Sequence, residues 1–317
     1  MNLLIDQIII FLIAIVIDLA IGDPPKNIER FYPIVWISKL MYFFDEKTKR
    51  GNPKREKMFG ALYCILILLI FSIPCLMLFL IHSEALYILL SAFIFKMTFA
   101  IKGLERFARF TMVDDLNEKR IAVSKIVSRD TEDLDEGHLN SATIESLAEN
   151  LTDSVISPFF YFALFGLFGA MFYRVVNTLD AVVGYKDQRH MHFGWFSARF
   201  DDFMNYIPKR ISTRLIYKQP WDSDLKTPLE PQMGAEIGTK IKPEIVAMSY
   251  ALRVKLEKKS YYLVGGDFEY AKKEHIEQAV KIIKSKAIFF ALTCILILVL
   301  LYSGGWTWLN QEIHYII

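Results

Sequence analysis

The 317-residue chain is 53% hydrophobic and 23% charged, with a formal net charge of +2. Apolar content this high excludes intrinsic disorder, and so small a net charge argues against a nucleic-acid partner. Five windows, 3–21, 60–81, 87–101, 155–173 and 287–302, contain only three charged residues, Asp6, Asp18 and Lys96, which excludes a purely soluble protein.

About 20 apolar helical residues cross the ~30 Å hydrocarbon core. Residues 3–21 meet that length. They do not read as a cleavable signal peptide, because the basic n-region is missing and the segment runs into Gly22-Asp23-Pro24-Pro25. Residues 60–81 and 84–101 form the next two expected spans, with Lys96 snorkelling toward the interface. A polar stretch, 102–154, leads to the apolar window 155–173, which carries Pro158, Gly166 and Gly169. After the long polar stretch 174–286, a basic amphipathic helix over 272–286 feeds the last span, 287–302. Residues 222–242, with two prolines and two glycines, read as an irregular linker. Cys64, Cys75 and Cys294 lie in apolar windows and read as small buried hydrophobes.

Placement of Lys and Arg sets the orientation. The stretches 22–59, 102–154 and 174–286 hold 36 of the 37 basic residues, and the remaining turns and tails hold none. Putting all three stretches in the cytoplasm requires an even number of crossings. Window 155–173, broken by Pro and Gly and flanked by charge, is then a re-entrant or intramembrane segment; the alternative is a fifth span. The expected architecture is an all-α, polytopic membrane protein with about four transmembrane helices, both termini outside and helical cytoplasmic regions. It forms a single membrane domain over 1–317.

The densest chemical constellation is Glu145, Glu149 and Asp153. At i, i+4 and i+8 on a helix capped by Asn140 or Ser141, the three carboxylates share one face with no nearby Lys or Arg. A hard cation such as Mg²⁺, held with phosphate oxygens, would relieve their repulsion; pairing with arginines distant in sequence is the alternative. Asn177 and Asp180 lie one turn apart on a helix ending before Gly184. The basic turn around Lys186 and Arg189 suits phosphate, or simply a membrane-facing loop. Ser197, Asp201 and Asn205 share a helical face; Asp202 pairs with Arg199, leaving Asp201 and Asn205 to meet a ligand. P-loop, GxSxG, HExxH and GxGxxG patterns are absent.

These residues resemble the CobD/CbiB family of cobalamin-biosynthesis proteins, the membrane adenosylcobinamide-phosphate synthases. The likeness runs from Ile21-Gly-Asp-Pro-Pro25 through Ser128-Arg-Asp-Thr131 and is strongest in Ala142-Thr-Ile-Glu-Ser-Leu-Ala-Glu-Asn-Leu-Thr-Asp-Ser154. It continues in Tyr173-Arg-Val-Val-Asn-Thr-Leu-Asp-Ala181, Ser197-Ala-Arg199 and Asn205-Tyr-Ile-Pro208. The resemblance implies an ATP- and Mg²⁺-dependent ligase joining aminopropanol or its phosphate to adenosylcobyric acid, a corrinoid, at the bilayer and near other membrane cobalamin-assembly enzymes. The resemblance places these residues in motifs without assigning their roles; we expect metal or nucleotide contacts from Glu145, Glu149 and Asp153, with Glu149, Asp180 and Asp201 as catalytic candidates and Asp180 as the base for the amine. Arg129, Asn150, Asn177, Lys186, Arg189, Arg199 and Asn205 become substrate- or phosphate-binding candidates. Two places depart from the family pattern. Tyr32-Pro33 replaces a His-Pro, and 238–253 lacks a Ser-Pro-Asn-Ala-Gly-Trp-type block and has Tyr250 and Arg253 where glycines are expected. The alternative function is a non-catalytic subunit binding a corrinoid at the membrane; a transporter is a third class.

Overall fold

In the computed structural model, residues 3–23, 30, 32–185, 187–217 and 241–304 are described. The linker expected at 222–242 lies almost wholly outside them. Among the described residues, four helical stretches are long and apolar enough to cross a membrane: Pro53–Leu80, Glu84–Phe110, Glu136–Val183 and Lys273–Leu301. The protein is an all-α polytopic membrane protein with one small sheet, divided into two compact units.

The first unit comprises 1–100, 157–206 and 290–317. It contains α1 (Leu3–Ala20), α2 (Pro33–Lys47), α3 (Pro53–Met77), α4 (Glu84–Lys96), α8 (Ser157–Val183) and α9 (Trp195–Met204). Asn52 caps α3 by accepting from the N–H groups of Lys54 and Arg55, and Pro53 occupies its first turn. From Met58 onward this helix is apolar all round. Gly60, Cys64, Ile67 and Leu68 face protein, while Leu62, Ile65, Leu69 and Ile73 stay exposed, as a lipid-facing helix requires. Gly60 permits a close approach, since a Cβ there would sit 1.9 Å from the Phe193 carbonyl oxygen. The core is aromatic: Phe11, Phe95, Phe159 and Phe162 are fully buried, with Phe95 and Phe162 centroids 4.0 Å apart. Lys96 does not snorkel. It is buried, with its ammonium 3.4 Å from Asp18 and 3.3 Å from Asp23. A buried cation is retained only when paired in this way.

Within α8 the backbone leaves helical geometry at Phe165 and at Gly166, whose φ of 61° and ψ of −153° suit only glycine. The chain doubles back there. The rings of Tyr161 and Tyr173 stack with centroids 5.4 Å apart, although twelve residues of straight helix would separate them by about 18 Å. The apolar window is thus a helical hairpin, and Asn205 ties its two limbs together. Asn205 Oδ1 accepts from Ser157 Oγ at 2.7 Å on one limb and from Tyr173 OH at 3.0 Å on the other.

The second unit comprises 101–156 and 207–289. It holds α5 (Ile101–Phe110), α6 (Leu116–Ser124), α7 (Glu136–Leu151) and α11 (Pro243–Leu252), most of α10 (Tyr206–Ile216), the strands and the polar half of α12 (Lys273–Gly304). Strands β1 (Val254–Lys258), β2 (Tyr262–Val264) and β3 (Glu269–Tyr270) form a sheet ordered β2-β1-β3. The β1–β2 pair is antiparallel, with Leu256 opposite Val264, and β1–β3 is parallel. This sheet departs from the expectation of purely helical cytoplasmic regions. The true helix, α11, stops at Arg253, which adopts a left-handed φ of 53°. Glycine is favoured at such a C-terminal position, which accounts physically for the glycine expected there. Helix α7 also starts earlier than expected. Asp135, not Asn140 or Ser141, is its cap, accepting from the His138 N–H at 3.0 Å. Asn140 and Ser141 are buried and brace the sheet, through the Ala271 carbonyl and the Glu257 N–H.

Candidate functional site

In the second unit, the stripe predicted on α7 is split by the way the helix ends. The α-helix stops at Leu151, and Thr152–Ile156 forms a wider π-helical turn. A π turn interrupts the i, i+4 register between Glu149 and Asp153, while Asp153 still acts on Lys242 and Glu244. Each glutamate has instead acquired a cation from elsewhere in the chain. Glu145 is buried; its Oε2 meets Arg129 Nη2 and accepts from Tyr262 OH at 2.9 Å, and its Oε1 accepts from Ser141 Oγ at 2.7 Å. Burial and the neighbouring Glu145 push the Tyr262 hydroxyl well above its ordinary pKa, so it remains a donor.

Glu149 Oε2 lies 3.0 Å from Lys242 Nζ. Burial opposes the charge on Lys242, but Glu149, then Asp153 and Glu244, raise its pKa above the usual lysine value. Glu244 is fully buried, and burial, assisted by Asp153, lifts its carboxyl to about 7. Asn150 bonds along its own helix, donating to the Ser146 carbonyl at 2.9 Å and accepting from Ser154 Oγ.

No group of three His, Cys, Asp or Glu that could hold a metal occurs among the described residues. A Mg²⁺ held jointly with phosphate oxygens would have to displace the cations that already meet Glu145 and Glu149. Glu145 is saturated by Arg129, Tyr262 and Ser141, and an ammonium stands against Glu149.

In the first unit, Asp201 and Asn205 are not left for a ligand. Both are buried. Asn205 Nδ2 donates to Asp201 Oδ2 at 3.0 Å, and Asn177 Nδ2 donates to Asp201 Oδ1 at 3.3 Å. With Ser157 and Tyr173 on Asn205, this network holds α9 to the hairpin, which is a structural task. Asp180 is half-buried in the last turn of α8, its Oδ1 placed where a side chain on Gly184 would collide. Arg199 is exposed on α9. Arg189 is drawn away from a free phosphate role. Its Nε and Nη2 donate to Oδ2 of the buried Asp45 at 2.8 and 2.5 Å, and Arg50 meets the other carboxylate oxygen. Lys186 lies outside the described residues.

A cavity of about 450 Å³ lies between the loop carrying Ser128, Arg129 and Asp130 and the β1–β2 turn carrying Lys258, Lys259 and Tyr261. Ser260 takes a left-handed φ of 64° in that three-residue turn, and the Tyr261 N–H closes it onto the Lys258 carbonyl at 2.9 Å. The Lys258 ammonium lies 4.6 Å from the Tyr261 ring centroid. Burial, then the nearby Arg129, lower the pKa of Lys258. The available signal was the alternation Val254-Lys255-Leu256-Glu257-Lys258, a half-buried strand followed by a turn.

A family model described as "CobD/Cbib protein" matches residues 11–294. The chain is 41% identical over 293 residues to the probable cobalamin biosynthesis protein CobD of Pyrococcus furiosus, covering 92% of this chain and 98% of that protein. It is 43% identical over 272 residues to the protein of the same description from Thermococcus kodakarensis, covering 86% and 89%. It is 33% identical over 283 residues to the cobalamin biosynthesis protein CobD of Dehalococcoides mccartyi, covering 82% and 87%. No solved structure matches.

Proposed function

We propose that this chain, which belongs to the CobD/Cbib protein family, is a membrane-bound ligase of cobalamin biosynthesis. It joins aminopropanol or its phosphate to a propionate carboxylate of adenosylcobyric acid, consuming ATP. The place in cobalamin biosynthesis follows from membership; the reaction and its substrates are the finer proposal. The observation that supports them is the charge arrangement of α7, where Arg129 is fixed on Glu145 and Lys242 on Glu149, beside the cation-lined cavity. Amide formation needs an activated carboxyl group and an amine that has lost its proton. Cations held in place by carboxylates are suited to the charge that develops on a transferring phosphoryl group, because they need not reorganise when it moves. Glu149 keeps Lys242 charged and in position. No step is assigned to a protein-held Mg²⁺.

The test is product formation. Purified protein given adenosylcobyric acid, aminopropanol phosphate, ATP and Mg²⁺ should yield adenosylcobinamide phosphate by mass spectrometry. Glu149→Gln should lower turnover at least a hundredfold with the fold intact. Absence of product from wild-type protein that still binds the corrinoid would replace the ligase by a non-catalytic corrinoid-holding subunit.

The same reading includes an orientation in which both termini lie outside and 102–154 and 174–286 face the cytoplasm. Charge placement supports it, and so does the doubling back of α8, which lets 155–173 enter and leave on one side. The native cysteines are buried, so a single exposed Glu132→Cys would report cleanly. It should resist an impermeant thiol reagent in intact cells and react after lysis. Labelling of intact cells would overturn this orientation.

A further inference from the structure

We propose that the cavity between the Ser128–Asp130 loop and the Lys258–Tyr261 turn binds a phosphoryl group, with Lys258 and Lys259 as its principal ligands. This rests on the reading that the second unit works on phosphorylated substrates, and it adds the site and the ligand chemistry.

The lining carries three cations, Arg129, Lys258 and Lys259, against one carboxylate, Asp130; Glu145 already pairs with Arg129, so one net positive charge, carried by the two lysines, is left to be met. Like charges gathered round one cavity repel one another, and the charged form of Lys258 is disfavoured by burial and then by Arg129, with Glu145 and Glu149 offsetting part of this. A phosphoryl anion between the two lysines offsets that cost. The donors are also of the right kind. The two lysines supply mobile ammonium protons, and Ser128 supplies a hydroxyl. Arg129 meets Glu145 through Nη2, so its planar fork has further N–H groups to offer.

The site is built rather than incidental. Arg129 is anchored by a buried glutamate that Tyr262 and Ser141 also hold. The lysines ride on a turn whose strands pair at Lys258–Tyr262 and Leu256–Val264. A volume of about 450 Å³ falls within the range of small-molecule sites. Two sources could bring the phosphoryl group: the nucleotide, or the phosphomonoester of the amino alcohol.

Isothermal titration of the full-length protein in detergent distinguishes them, using inorganic phosphate, ATP without metal, and aminopropanol phosphate as separate probes. Lys258→Gln with Lys259→Gln should weaken at least one of these at least tenfold, and added salt should weaken wild-type binding. Lys258→Arg should restore most of it. Loss confined to ATP assigns the cavity to the nucleotide, and loss confined to aminopropanol phosphate assigns it to the monoester. Lys259→Gln alone, at a solvent-facing turn, provides a variant whose melting temperature should match wild type. Unchanged affinities in a folded lysine variant, or no binding of any probe to wild type, would overturn the site. Amide product from wild type with unchanged phosphate affinity in the variants would sink the cavity and spare the ligase. Lysine-dependent phosphate binding without amide product would do the reverse.

Discussion

Glu244 should make the second unit lose stability as pH rises through neutrality. Its side chain is fully buried, and Oε2 has no hydrogen-bond partner among the described residues. Burial lifts its pKa from 4.5 to about 7; Asp153 adds to this, while Lys242 and Lys209 partly offset it. The folded protein therefore holds this proton more tightly than the unfolded chain. The resulting stabilisation is full below about pH 4.5 and is lost as pH climbs through 7. At about 1.4 kcal/mol per tenfold, the displacement corresponds to roughly 3 kcal/mol. Glu244→Gln keeps the shape and removes the titration. Far-UV circular dichroism melts in detergent, for wild type and variant at half-unit steps from pH 5 to 8, would measure the difference. The variant should gain on wild type across that range. At about 2–4 °C per kcal/mol for a domain of this size, the gain is on the order of 6–12 °C at pH 8. The six histidines titrate in the same range in both proteins, so only the difference between the two curves is diagnostic. Parallel curves from pH 5 to 8 would refute the reasoning.

Asn205→Ala removes the acceptor shared by Ser157 and Tyr173 and the donor to Asp201. At about 1 kcal/mol per hydrogen bond it should cost ~3 kcal/mol, seen as a lower melting temperature of the detergent-solubilised protein. Gly166→Ala forces a side chain into a φ of 61° and places a Cβ 3.2 Å from Gln7 Oε1. A loss of about 1–3 kcal/mol is expected in the same melts, and an unchanged melt would argue against the fold-back at this residue. Arg253→Gly, at the left-handed end of α11, should instead stabilise by roughly 0.5–1 kcal/mol in chemical or thermal unfolding.

Membrane class, family and the break in window 155–173 are each written in local signals along the chain. Apolar runs of span length need no partner to be recognised, and Gly166 marks a bend wherever its neighbours lie. The α7 carboxylates were legible as a cluster for the same reason, since helical spacing is a local property. What balances them was not. Arg129 reaches Glu145 from a loop 16 residues upstream, Lys242 reaches Glu149 from 93 residues downstream, and Asp45 claims Arg189 across 144 residues. Ion pairing depends on distance in space, and chain position says almost nothing about that distance once loops close. The π turn after Leu151 and the hydrogen bonds of Asn205 were likewise decided by packing. An expected stripe of three carboxylates became separate ion pairs, and two expected ligand residues became the clasp of a hairpin. Only the tertiary structure could bring the Ser128–Asp130 loop to the Lys258–Tyr261 turn, because the cations lining that cavity come from segments more than 120 residues apart.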